Sequence, residues 1–165
     1  MSRAFIKEDN QQDTPFVPPR ADLPKGVTNY VTPVGLEQLL SEKESLLSEF
    51  KKANEGDELT KIRDIKIINI KLGRLEERIA TATVIDHQKH DNNKVRFGST
   101  VLLKIGNTKN TRQLQIVGVD EANLKLNKIA FTSPLAKTLI NKTVGEVATL
   151  KLERGESQFT VLEIQ

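Results

Sequence analysis

The run "DELTKIRDIKIINIKLGRLEERIATATVID", Asp57–Asp86, decides the fold. Within it Ile65, Ile68, Leu72, Leu75, Ile79 and Ala82 recur in alternating steps of three and four, the a and d positions of a heptad pattern. A helix with that stripe must lay it against a second apolar surface. The preceding run, "VTPVGLEQLLSEKESLLSEFKKAN", Val31–Asn54, supplies one. Leu36, Lys43 and Phe50 stand seven apart there, with Leu39/Leu40 and Leu46/Leu47 between them, so a single lysine interrupts the stripe. Thr32 is placed to cap this helix and Pro33 to take its first position, where a missing N–H costs nothing. Gly56 is expected to end it in the left-handed conformation. Two striped helices joined by so short a turn lie antiparallel. The spacing predicts an antiparallel coiled-coil hairpin over residues 31–86 with Gly56-Asp57-Glu58 at its tip.

Downstream the period changes to that of strands. "STVLLKI", "RQLQIVGV" and "KIAFTS" are separated by Gly and Asn turns, and "EVATLKL" and "SQFTVLEI" are joined through Glu153-Arg154-Gly155-Glu156 as a β-hairpin. Between them "SPLAKTLINK" predicts a short helix, with Ser133 as cap and Pro134 at its first position. These elements make an α+β globule over residues 94–165, an antiparallel sheet with one short helix. The boundary is expected in the polar stretch "DHQKHDNNK", Asp86–Lys94. Upstream, five of the six prolines fall within the first 33 residues. Residues 1–30 therefore predict an extended, Pro-rich leader, either a disordered tail or a strap ordered by a partner. Phe16, Val17 and Leu23 are apolar enough to pack onto something.

Composition narrows the function. The 165 residues are 37% hydrophobic and 28% charged, with 4% aromatic and no Trp, so the core is built from Leu, Ile and Val. The absence of cysteine excludes disulfides, thiolate metal sites and cysteine nucleophiles, and fits a reducing compartment such as the cytoplasm. "MSRAFIKEDNQQD" has no apolar core of a secretory signal, and no run is apolar for long enough to span a membrane. The net charge of +3 is spread among interspersed Lys and Glu, without the clustered basic face that holds nucleic acid through its backbone. His87 and His90 stand three apart in the polar linker without a third ligand nearby. No phosphate loop or local nucleophile signature occurs, so no stand-alone enzyme and no small-molecule substrate are expected.

A helical hairpin with an acidic tip, followed by a small sheet domain, resembles the Gre transcript-cleavage factors of bacterial RNA polymerase. "VTPVGLEQL" is similar to the start of that family's first coiled-coil helix, "EGDEL" lies where the family carries its tip, and "RIATATVID" resembles its exit from the second helix. "VRFGSTV", "QIVGVDEA" and "SPLAKTLINKTVGE" are similar to its sheet-domain motifs. The resemblance runs from Val31 to Ile164 and leaves out the leader. It implies an FKBP-like sheet domain that docks at the mouth of the polymerase secondary channel, and a coiled coil that reaches toward the catalytic centre. There the tip acids help hold a magnesium ion shared with the polymerase, near nascent RNA and template DNA. In those terms Asp57 and Glu58 are the tip acids, with Asp57 the metal ligand. Asp120, Glu121, Ser133, Pro134, Leu135 and Ala136 are the polymerase-binding residues.

The chain also departs from that pattern. The family's tip reads Gly-Asp-Leu-x-Glu-Asn; Gly56 and Asp57 match its start, but Thr60 and Lys61 stand where the second acid and the asparagine fall. About fifteen residues are missing from the two arms together, which at about 1.5 Å per residue draws the tip back by roughly 10 Å. Binding is expected to survive this, whereas cleavage is in question. Two other readings stay open. One is an interaction module similar to the Rnk-type regulators; the other is an FKBP-like prolyl isomerase, whose aromatic lining would have to come from Phe97, Phe131 and Phe159. For Asp57 itself, a simple helix cap is the competing role.

Overall fold

The computed structural model describes residues 14–89 and 93–165. Two long helices, α1 (Pro33–Asn54) and α2 (Glu58–Ala80), are joined by three residues and pack along each other. Thr32 caps α1 as its sequence predicts: its Oγ1 accepts the Gly35 N–H at 2.9 Å, and Pro33 opens the helix. Leu39, Leu46, Ile68 and Leu75 are buried between the helices, with Leu36, Phe50, Leu72 and Ile79 packed against them. The lysine that interrupts the stripe is answered across the pair, since Lys43 Nζ lies 2.9 Å from a Glu76 carboxylate oxygen. Leu40 and Leu47, by contrast, stay on the surface, because only one residue of each Leu-Leu pair can face the partner helix.

The tip differs from expectation. Gly56 does not adopt the left-handed conformation. Glu55 ends α1 with right-handed angles (φ −91°), its N–H donating to Lys52 O and the Gly56 N–H to Ala53 O, both at 3.2 Å. Asp57 is then already extended, so the turn closes without a positive φ.

At the hairpin's base, β1 (Tyr30–Val31) pairs in parallel with β2 (Thr83–Val84). The rest of the chain forms a sheet from β3 (Thr100–Ile105), β4 (Thr111–Val117), β5 (Lys128–Ala130), β6 (Val147–Leu152) and β7 (Gly155–Ile164) in the order β5-β4-β3-β7-β6. The expected all-antiparallel sheet is corrected at one edge: β5 runs parallel to β4. Residues 118–127 return the chain to the second half of β4 through a short 3₁₀ turn, and Asn127, at φ 55°, sets Lys128 beside Gln115. The β6–β7 hairpin turns at Glu153-Arg154, with Gly155 (φ 130°) in a region that disfavours side chains. A short helix, α3 (Pro134–Leu139), is capped by Ser133 Oγ and buries Ala136 and Leu139 in the core with Val101, Leu103, Ile116 and Val161. The molecule is a mixed helix-and-sheet fold with three α-helices among the described residues.

Of the leader expected over residues 1–30, residues 1–13 lie outside the described residues, and Arg74 and Arg78 of α2 bond the backbone of the part that follows. Residues 14–29 lie along the hairpin with Val17 buried, as a strap.

If the helices are held by their facing stripe, Leu75→Ala, at a fully buried position, will lower the unfolding free energy by about 2–5 kcal/mol. Chemical denaturation monitored by circular dichroism measures this, and a loss under about 1 kcal/mol would show that the stripe is not the packing surface.

Candidate functional site

The outermost point of the hairpin is Glu55-Gly56-Asp57-Glu58, and all four residues are exposed. Asp57 occupies the cap position of α2, yet its carboxylate caps nothing; its backbone oxygen takes the Lys61 N–H at 2.9 Å and the Thr60 hydroxyl at 3.2 Å. The cap role weighed for this residue is thus carried by its backbone, and the carboxylate is left outward. Glu58 opens the helix proper, so the two acids leave the backbone from different conformations. Among the described residues no group of three or more His, Cys, Asp or Glu could hold a metal ion. Asp57 and Glu58 are thus two exposed carboxylates without a third such ligand beside them among the described residues.

Asp120 and Glu121, expected as exposed contacts for the polymerase rim, are placed otherwise. The Asp120 side chain is 9% exposed and sits between two arginines, with Arg20 Nη2 at 2.9 Å from one oxygen and Arg78 Nε at 3.0 Å from the other. Arg20 belongs to the strap and also grips Glu42 of α1 through both terminal nitrogens, at 2.8 and 3.0 Å. Hydrogen bonding to Glu42 first, opposed by burial and helped by the Asp120 charge, raises the Arg20 pKa above its ordinary value. Glu121, 7% exposed, accepts the Thr32 hydroxyl at 2.6 Å on one oxygen and Lys128 Nζ at 2.9 Å on the other. Its charge thus lies at the positive end of α1. Both acids are used inside the chain, and an outside cation would have to displace partners already in contact. The reason is local crowding: the "VGVDEA" turn lies against the base of the hairpin. A Cβ at Gly118 would come within 2.6 Å of Tyr30 O, and one at Gly35 within 2.7 Å of Glu121.

The remaining predicted contacts divide. Pro134 is exposed and Ser133 is half-buried at its capping bond, but Leu135 packs on the core and Ala136 is fully buried. Only the first two offer surface. Phe97 and Phe131 form a three-ring cluster with Tyr30, at centroid distances of 5.5 to 5.8 Å, and Phe159 packs on the sheet core. These rings are occupied by the chain itself, which argues against an aromatic-lined isomerase cleft. His87 points Nε2 at the Gln165 carbonyl, 3.1 Å away; His90 lies outside the described residues. Arg20, Glu42 and Arg78 were not singled out by sequence, because nothing local in a proline-rich leader announces a partner 100 positions away.

The fold and tip define a class: a helical hairpin presenting uncommitted acids, mounted on a small sheet globule. Comparison with known proteins makes this specific. Residues 89–165 match the family described as transcription elongation factor, GreA/GreB, C-terminal. The transcription elongation factor GreA of Nitratiruptor sp. is 34% identical over 135 residues, 78% of this chain and 83% of that protein. GreA of Maricaulis maris is 38% identical over 90 residues, 54% of this chain and 57% of that protein. Matches of this second kind span less than two-thirds of the relative's length. The chain belongs to the GreA/GreB family of transcription elongation factors. The relatives found are elongation factors, which does not favour the Rnk-type alternative. Among solved structures, the GreA factor homologue Gfh1 of Thermus thermophilus aligns over 84% of this chain and 99% of its own, at 22% identity and TM-score 0.39.

The Arg20–Asp120 contact is partly buried, so a double-mutant cycle of Arg20→Ala with Asp120→Ala is expected to give a coupling of about 1 kcal/mol in thermal or denaturant unfolding, reduced in high salt. A coupling near zero at low salt would show that the strap's arginine is only resting on the surface.

Proposed function

We propose that this protein binds bacterial RNA polymerase and modulates elongation by inserting its helical hairpin, a coiled coil, into the secondary channel while an FKBP-like sheet domain docks at the channel mouth. The observation that carries this reading is the free pair of acids at the end of a two-helix rod. The helices have 22 and 23 residues, so the rod is about 33 Å long at about 1.5 Å per residue. Such a shape delivers charge where the globule cannot enter. The exposed part of the docking surface is Ser133 and Pro134; Asp120 and Glu121 act indirectly, by setting how the rod leaves the globule.

At the tip, Asp57 offers an outward carboxylate and Glu58 stands beside it. Asp57 would add its oxygens to a magnesium ion held chiefly by the polymerase; a second metal of that kind activates water and steadies a leaving oxygen in phosphoryl chemistry. The chain itself would be no enzyme: it positions carboxylates, and any RNA hydrolysis belongs to the polymerase. Its contacts with nascent RNA and template DNA would be indirect, and its place of action cytoplasmic. Thr60, whose hydroxyl is turned back onto Asp57 O, supplies no second acid. Binding and channel occupancy are accordingly the main activity, and cleavage stimulation the lesser one.

The test uses stalled, backtracked elongation complexes of the cognate polymerase. The protein is expected to bind them and to alter nucleotide addition. Asp57→Ala should keep its affinity within about twofold, because one exposed rim charge contributes little to binding, while removing whatever RNA shortening the unaltered protein stimulates. Failure of the unaltered protein to bind would remove the reading altogether.

A further inference from the structure

We infer that the strap carries a docking element of its own, with Phe16 as an anchor for an apolar pocket in the polymerase wall that flanks the inserted hairpin. This inference rests on the function proposed above. The chain is poor in aromatics, and among the described ones Tyr30, Phe50, Phe97, Phe131 and Phe159 are all at least half-buried against other apolar groups. Of the described aromatics only Phe16 is exposed, at 85%. Single exposed apolar side chains need no explanation on most surfaces, but the setting of this one sets it apart.

Its backbone is held on the following side. Val17 is buried at 8% exposure, and Arg74 Nη1 binds the carbonyls of Val17 and Pro18 at 3.0 and 2.9 Å. Arg20 then ties the strap to Glu42 and Asp120, and Arg78 Nη2 reaches Ala21 O at 2.6 Å. Pro18 and Pro19 stiffen the intervening backbone. A large ring is thus displayed on chain already ordered, so burying it in a partner costs little further conformational entropy. Aromatic side chains of this kind dominate interface energetics when they enter a closed pocket. The position suits the partner: Arg74 lies sixteen residues beyond the start of α2, about 24 Å behind the tip at about 1.5 Å per residue. A channel that admits the rod to that depth brings its wall against Phe16.

The test compares full-length protein with Phe16→Ala and Phe16→Leu for affinity to the cognate core polymerase by biolayer interferometry, alongside thermal unfolding of each. Phe16→Ala is expected to weaken binding about tenfold with an unchanged melting temperature, and Phe16→Leu to recover most of the loss. Polymerase binding by the unaltered protein with Phe16→Ala equal to it within twofold would overturn the anchor while leaving the proposed function standing. A fall of several degrees in the melting temperature of Phe16→Ala would also overturn it, by making the ring internal packing. Absence of binding by the unaltered protein would overturn both.

Discussion

Two adjacent acids, Asp120 and Glu121, decide how the two halves of this molecule sit together. Each is buried enough that its charge must be matched, and each is matched by groups from a different part of the chain. Asp120 takes Arg20 from the strap and Arg78 from α2; Glu121 takes Thr32 at the start of α1 and Lys128 from β5. Leaving either carboxylate without its partners would carry the desolvation cost of a buried charge. The directionality of the hydrogen bonds from Arg20, Thr32 and Lys128, with the Arg78 charge beside Asp120, therefore fixes the rod's exit from the globule more tightly than apolar contact could, because apolar contact is indifferent to orientation.

The glycines beside these acids belong to the same constraint. Gly118 lets the backbone of β1 approach the turn, and Gly35 makes room for Glu121 at the first turn of α1. Besides Arg20, the strap reaches the hairpin through Asn29, which donates to the Arg78 carbonyl at 2.8 Å near the end of α2. With its base held on several sides, the hairpin behaves as an extension of the globule, and its acidic tip acquires a fixed address. The function proposed for the tip depends on that address.

Features set by neighbours in sequence were legible before the structure. The apolar stripes identified both helices and most of their facing residues, though Ile65 stands outside the packed cluster, and Thr32-Pro33 and Ser133-Pro134 marked two helix starts, because periodicity and capping are local physics. Features set by distant neighbours were not. An acid in a turn after a strand reads as surface, and Asp120 is drawn inward only by arginines from the strap and from α2. Likewise the leader's prolines suggested extended chain, but could not reveal that Arg74 and Arg78 would take its carbonyls. Gly56 shows the same limit at short range: glycine permits a left-handed turn, but the extended angles of Asp57 make one unnecessary.

The central claim, that the paired acids hold the rod at one angle, is best tested by a distance distribution. Because the chain has no cysteine, nitroxide labels can be placed at Glu55→Cys and Lys151→Cys, both exposed, and their separation measured by double electron–electron resonance. The account predicts one narrow distribution that broadens when Asp120→Ala and Glu121→Gln are combined in the labelled protein. A distribution that is already broad, or one that stays narrow when both acids are replaced, would contradict it.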